Sequence, residues 1–194
     1  TKVIDLLDRI VAQSARAGDV VTRLRGMAKR QDLQLAEIEL GRVLDGCIDM
    51  LRGECEQRDL HIEVRHRTVL PKLVADEIHV QQVVLNLVRN AIDAMSEAPE
   101  TRREVLLSSH QSAEGEIEII VADHGSGLAP EAAEHLFNPF FTTKAGGTGL
   151  GLAISRSIVR AHGGRLWHTP NEGTGARFHF TLPAAPVTLA SKGE

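Results

Sequence analysis

The sequence predicts an α+β chain: a long helix in front, then a domain in which apolar-striped helices share a core with a set of strands. Three observations carry this. Residues 1 to about 32 repeat apolar side chains with a period of seven. Segment 61–66 alternates apolar and polar residues, the period of a half-buried strand, and 104–109 and 116–123 read as two longer strands. Between and after them, 43–56, 76–97 and 150–162 place apolar residues three and four apart, the stripe of a helix lying on a core.

In the leading segment, Val3, Ile10, Ala17 and Leu24 form one row and Leu6, Val20 and Met27 its neighbour, interrupted by Gln13. One helix cannot bury such a seam alone, so either a partner helix covers it or it lies on its own domain. The pattern breaks after Gln31-Asp32, which puts the domain boundary near residue 36. A short strand at Ile38 to Leu40, a helix from Val43 to Glu56, and a strand at His61 to His66 follow. A further short strand covers Lys72 to Ala75. Asp76 is placed to cap the helix that runs to about Glu97, closed by Pro99. Gly115 lies between strands Glu104 to Ser109 and Glu116 to Asp123, as in a hairpin. Residues 124–148 form a long irregular connection with a short helix near Glu131 to Leu136, and connections of that length are usually functional. A helix from Leu150 to His162 ends at Gly163-Gly164. Strands Arg165 to His168 and Ala176 to Leu182 complete the domain, and a tail from 184 to 194 is expected to be flexible.

Composition narrows the class. Apolar content of 42% and charged content of 25% describe a soluble globular chain, and 3% aromatics leave the core to Leu, Ile, Val and Ala. A net charge of −4 argues against nucleic-acid binding. Cys47 and Cys55 have neither zinc spacing nor a disulfide framework, which points to a reducing, cytoplasmic compartment. No apolar run reaches membrane length, so no direct membrane contact is expected. The chain opens on Thr1 inside a helical pattern, which suggests a piece of a larger protein whose membrane anchoring is left open.

The chemistry gathers in four stretches. Asn86, Asn90 and Asp93 fall on one face of an otherwise apolar helix, where a solvated face would use Lys or Glu. A short amide there can ligate Mg²⁺ through its carbonyl oxygen or hydrogen-bond a phosphate through its N–H, or else the asparagines cap or bridge neighbouring backbone. Asp123-His124-Gly125-Ser126-Gly127 ends an apolar strand with a carboxylate able to accept from an exocyclic amino group, or is an ordinary strand-ending turn. Phe137 to Lys144 puts three of the five phenylalanines in a loop, as a lid or a satellite core. Gly146-Gly147-Thr148-Gly149-Leu150-Gly151 feeds a helix, the form of a phosphate cradle or of a hinge.

In this order the four stretches closely resemble the catalytic ATP-binding region of bacterial sensor histidine kinases, within the gyrase, chaperone, histidine kinase and mismatch-repair ATPase superfamily. Gln82 to Ala94 resembles the N box, Asp123 to Gly127 the G1 box, Phe137 to Lys144 the F box, and Gly147 to Gly151 the G2 box. The resemblance implies an α/β sandwich, a mixed sheet of about five strands with three helices on one face. It implies domains at 1–36, the second helix of a dimerisation and histidine-phosphotransfer bundle, and at 37–183, the catalytic domain. Asn90 would ligate Mg²⁺ with Asn86 in support. Asp123 would bind the adenine amino group in a pocket shaped by Gly125 and Gly127. Lys144 and the backbone of Gly149, Leu150 and Gly151 would hold the phosphates of ATP. Asp93, Thr143, Gly147, Thr148 and Leu152 complete the implied nucleotide contacts. Asn86, Asn90 and Lys144 would serve catalysis. The implied partners are a second copy, through the leading helix, and a cognate response regulator.

The departures are informative. In the hydrolysing relatives a glutamate four residues before the metal asparagine activates water; here that place holds Asn86, whose amide is no useful base. An ATP-hydrolysing switch is thereby disfavoured against phosphoryl transfer, and a nucleotide-binding module without catalysis is the third reading. None of the nine histidines has the context of the family's phosphoacceptor, so the acceptor is expected upstream of Thr1 and no autophosphorylation is expected of this chain alone. Asp93 stands where many relatives carry a basic residue, leaving phosphate charge to Lys144, with Arg89 and Arg156 as further candidates. Ala176 replaces a common hydroxyl residue near the implied adenine site.

Overall fold

The computed structural model describes residues 33–66, 70–95, 103–144 and 147–185. The leading helix with its period-seven seam, Glu97, Pro99, Gly146 and residues 186–194 lie outside the described residues. In chain order the elements are β1 (Ala36–Ile38), α1 (Leu40–Gln57), β2 (His61–His66), β3 (Leu73–Ala75) and α2 (Glu77–Ala94). They continue with β4 (Glu104–Gln111), β5 (Glu116–Ala122), α3 (Pro130–His135), α4 (Gly151–Ala161), β6 (Leu166–Pro170) and β7 (Ala176–Pro183). Five strands form one mixed sheet in the order β2-β4-β5-β7-β6, and β1 pairs with β3 in a separate ribbon. Only β2 and β4 run parallel; the hairpins β4–β5 and β6–β7, and the pairing of β5 with β7, are antiparallel.

Alternation decides which face is covered. Val105 and Leu107, then Ile117, Ile119 and Val121, then Phe178, Phe180 and Leu182 are buried, while the residues between them, Thr181 excepted, are part-exposed. Helices α1, α2 and α4 pack on that face: α1 against β2, α2 against β4 and β5, α4 against β6 and β7. Leu44, Cys47 and Leu51 of α1 and Val84, Leu87 and Ile92 of α2 are at most 1% exposed, and each such aliphatic side chain stabilises the fold by about 1.5–3 kcal/mol. Both cysteines are buried free thiols, and burial pushes Cys47 up to about 11. The mixed five-stranded sheet and its helices are the architecture expected.

Several boundaries move for identifiable reasons. Leu40, expected as the end of a strand, is buried at 2% and begins α1, so β1 shifts back to Ala36–Ile38. Helix α2 ends at Ala94, its capping Met95 donating back to Ala91. Helix α4 closes with Gly163 at φ 81°, whose N–H donates to Arg160 O (3.0 Å) while Gly164 N–H donates to Val159 O (2.9 Å), a Schellman stop. Ordered pairing runs past the expected edge at 183: Ala184 bridges Leu73, and Ala185 N–H donates to Lys72 O at 2.7 Å.

Asp76 joins three parts of the frame. Its carboxylate accepts from His79 N–H (3.2 Å), the predicted cap of α2, and from Gln34 N–H (3.1 Å). Its own N–H donates to Nε2 of His162, the residue capping α4 (3.0 Å). Burial pushes the Asp76 carboxyl up, but the backbone donors and His79 outweigh it and hold the group below its ordinary value. The start of α2 and the end of α4 are thus tied at one point.

Candidate functional site

Helices α2 and α4 lie side by side, and the four sequence stretches converge at their junction around one cavity of about 850 Å³. Asn86, Asn90 and Asp93 line it from successive turns of α2. Asp123, His124, Gly125, Ser126 and Gly127 line it from the end of β5. Thr143, Lys144, Gly147, Thr148 and Gly149 line it from the loop, and Gly151 and Leu152 from the start of α4. Leu150 does not: it is 0% exposed and packs inward as the N-cap of α4, so only its backbone is near the turn.

Asp123 is the most enclosed of the polar side chains lining the cavity, at 1% exposure. Its Oδ1 accepts from the N–H of Gly125 (2.9 Å) and of Ala176 (3.2 Å). Burial raises its carboxyl above the ordinary carboxylate value, and the two backbone donors offset only part of that. A buried acceptor of this kind is stabilised by a further donor from a ligand. Asn171 steadies the same corner, its Nδ2 donating to Asp123 O (2.7 Å) while its Oδ1 accepts from Arg177 Nε (2.7 Å).

At the other end the oxygens of α2 surround a cation. Lys144 Nζ donates to Asn90 Oδ1 and Asp93 Oδ2, both at 2.9 Å, and Asp93 Oδ1 also accepts from Arg58 Nη1 at 3.2 Å. Asn86 Nδ2 donates to Ser155 Oγ of α4 (3.0 Å). Arg89 lines the cavity and lies 3.5 Å from Glu54. Arg156, considered for phosphate charge, is turned elsewhere: it donates to Phe137 O (3.0 Å) and stacks over the Phe137 ring (5.1 Å).

The phenylalanines divide the two readings of their loop between them. Phe137 packs on the core, Phe141 lines the cavity, and Phe140 is 63% exposed at φ 68°. The loop is pinned by Phe140 N–H donating to Gly149 O (3.0 Å) and Lys144 N–H to Thr142 Oγ1 (3.1 Å). Glycine is required in the turn for protein contacts as much as for a ligand. A Cβ on Gly149, which sits at φ 65°, would strike the Phe140 carbonyl, and one on Gly151 would strike Asn86 Oδ1. Gly125 likewise lies against the Ala94 carbonyl at the end of α2, rather than only turning around a base.

Sequence reasoning missed Thr174 and Phe178, which line the cavity from the β6–β7 hairpin, and also Asn171 and Ser155, which bond to Asp123 and Asn86 from behind it. The turn Asn171-Glu172-Gly173-Thr174-Gly175 was a visible glycine-rich signal for the first group. Nothing local marked Ser155.

Residues 75–186 match the family model described as histidine kinase-, DNA gyrase B-, and HSP90-like ATPase. The sensor protein FixL of Bradyrhizobium diazoefficiens is 38% identical over 184 residues, 95% of this chain and 36% of that protein. The C4-dicarboxylate transport sensor protein DctS of Rhodobacter capsulatus is 34% identical over 94% of this chain and 28% of its own length. This chain therefore spans about a third of the curated relatives it matches. Among solved structures, full-length ShkA in complex with AMPPNP superposes with a TM-score of 0.74 at 31% identity, over 86% of this chain and 35% of that one. Histidine kinase ThkA in complex with the response regulator TrrA gives 0.74 at 26% identity, over 91% and 50%.

Proposed function

This chain belongs to the histidine kinase-, DNA gyrase B-, and HSP90-like ATPase family, and from that premise we propose that it is the ATP-binding catalytic part of a two-component sensor histidine kinase. The observation that carries the reading is the convergence of a buried acceptor, Asp123, and of the Asn90 and Asp93 oxygens holding the Lys144 ammonium, on one nucleotide-sized cavity. Asp123 takes the adenine amino group. Gly149, Gly151 and Lys144 take the phosphates at the start of α4, where unpaired N–H groups and the helix dipole favour anions.

Magnesium fits this donor set. Asn90 and Asp93 offer hard oxygens that already hold an ammonium, and no group of three His, Cys, Asp or Glu among the described residues could cage a metal alone. Mg²⁺ suits such a sparse site because it keeps several waters and takes phosphate oxygens from the nucleotide. Bound there, it would neutralise charge on the phosphates. Lys144 would leave Asn90 and Asp93 for a phosphate oxygen as the ion arrives. Asn86, at the place of a general base in hydrolysing relatives, cannot accept a proton usefully, so the γ-phosphoryl group is kept for another acceptor.

The acceptor in the longer protein would be a histidine, and the onward acceptor an aspartate of a response regulator. The complex of ThkA with a response regulator supports that partner class. The apolar seam of Val3, Ile10, Ala17 and Leu24 supports a homodimeric bundle. No helix among the described residues is long and apolar enough to cross a membrane. The test is calorimetric titration of this chain with ATP and ADP, with and without Mg²⁺. Magnesium-dependent binding that is lost in Asp123→Ala and weakened in Asn90→Ala supports the site. Folded protein that takes up neither nucleotide removes it.

A further inference from the structure

Asn86 is held from two sides by α4. Its Nδ2 donates to Ser155 Oγ at 3.0 Å, and Ser155 is 1% exposed. Its Oδ1 lies over Gly151, one turn earlier on the same face of α4, in the space a Cβ would fill. The orientation has an electrostatic reason. The N–H groups at the start of α4 make that end positive, which favours the amide oxygen over the amino group. Asn86 and Gly151 both line the nucleotide cavity and also a smaller groove of about 390 Å³ behind it, so the amide stands in the wall between them.

We propose that Ser155 and Gly151 are positioning residues that lock the Asn86 amide with its nitrogen on α4 and its oxygen on the phosphate side of the cavity. The inference rests on the nucleotide-site reading above for its consequence, not for its geometry. Gly151 is glycine because Asn86 occupies the space beside it. Ser155 anchors the amide, and the positive start of α4 selects the orientation with the oxygen over Gly151, leaving an acceptor for a metal-bound water rather than a donor facing a cation.

Two measurements test this separately. In nucleotide-free thermal unfolding, Gly151→Ala is expected to lower the Tm in the parent chain and far less in an Asn86→Ala background, where the colliding oxygen is gone. An equal loss in both backgrounds overturns the packing claim. In ADP titrations, Ser155→Ala is expected to weaken binding about fivefold with Mg²⁺, the scale of one hydrogen bond. With EDTA in place of the metal, the variant and parent should bind alike. An unchanged affinity, or an equal loss with and without metal, overturns the positioning role. A parent chain that binds no ADP would sink the nucleotide reading while leaving the unfolding cycle fully readable.

Discussion

The floor and the roof of the cavity are built differently. The floor is α2 with the end of β5: Asp123 at 1% exposure, bound by two backbone N–H groups, and Asn86 bonded to a buried serine. The roof is Phe137 to Lys144 with Gly147 to Gly149, with Phe140 63% exposed and Lys144 joined to Asp93 by an ion pair whose side chains are 40% and 41% exposed. Buried hydrogen bonds are costly to break, whereas exposed ion pairs contribute about 0–1 kcal/mol. The floor is therefore preorganised, and the roof can trade its contacts for those of a ligand. In such a site, base recognition is built in before the nucleotide arrives, and phosphate recognition is assembled on arrival.

The sharpest way to break this comparison is Asp123→Asn. The amide oxygen can keep both backbone donors, and a buried charge is removed, so the Tm should hold or rise. Nucleotide affinity should fall about 100-fold, the scale of a hydrogen bond to a charged group together with loss of a matched acceptor. Parallel melting and ADP titrations would read both; a fall in Tm without a fall in affinity would make Asp123 structural.

Next in size is Asn90→Ala. It should cost about tenfold in Mg²⁺-dependent affinity, with little change in EDTA, and abolish ATP-dependent phosphorylation of an added histidine-bearing helix. Unchanged magnesium dependence would move the metal elsewhere.

Acidification is the third. Burial raises Asp123, so ionising it costs the nucleotide-free fold, and protonation relieves that cost. Affinity runs the other way, because the protonated carboxyl is a poorer acceptor. As pH falls toward the raised value, ADP binding by the parent chain should weaken while that of Asp123→Asn stays flat. Titrations between about pH 4 and 7 would show it.

Smaller effects belong to the roof. Lys144→Ala should weaken ADP binding about fivefold, more at low salt, and leave the nucleotide-free Tm within about 1 °C. Phe140→Ala should leave the Tm unchanged, since its ring already faces solvent. A large stability loss in either variant would mean that the roof is as rigid as the floor.

The same division governs what could be read in advance. Floor residues were legible because burial imposes a period: the stripe Val80, Val84, Leu87, Val88 and Ile92 marks the inner face of α2, so Asn86, Asn90 and Asp93 stand out as anomalies. The hairpin at Gly115 and the cap at Asp76 were equally local. Roof details were not legible. Arg156 is a further phosphate candidate behind Lys144 in the sequence, and only the loop's path gives it to Phe137. The glycines of the turn read as room for a ligand, while Phe140 and Asn86 already use part of that room.

Alone, the sequence determined the class of the fold, the order of its elements, and which polar side chains break an apolar pattern. These are local facts, set by backbone periodicity and turn chemistry within about twenty residues. Tertiary structure decided which anomalies meet: Asn86 reaches Ser155 across 69 residues and Lys144 reaches Asn90 across 54. A side chain's partner depends on how helices and loops pack in space, and no period along the chain records that packing.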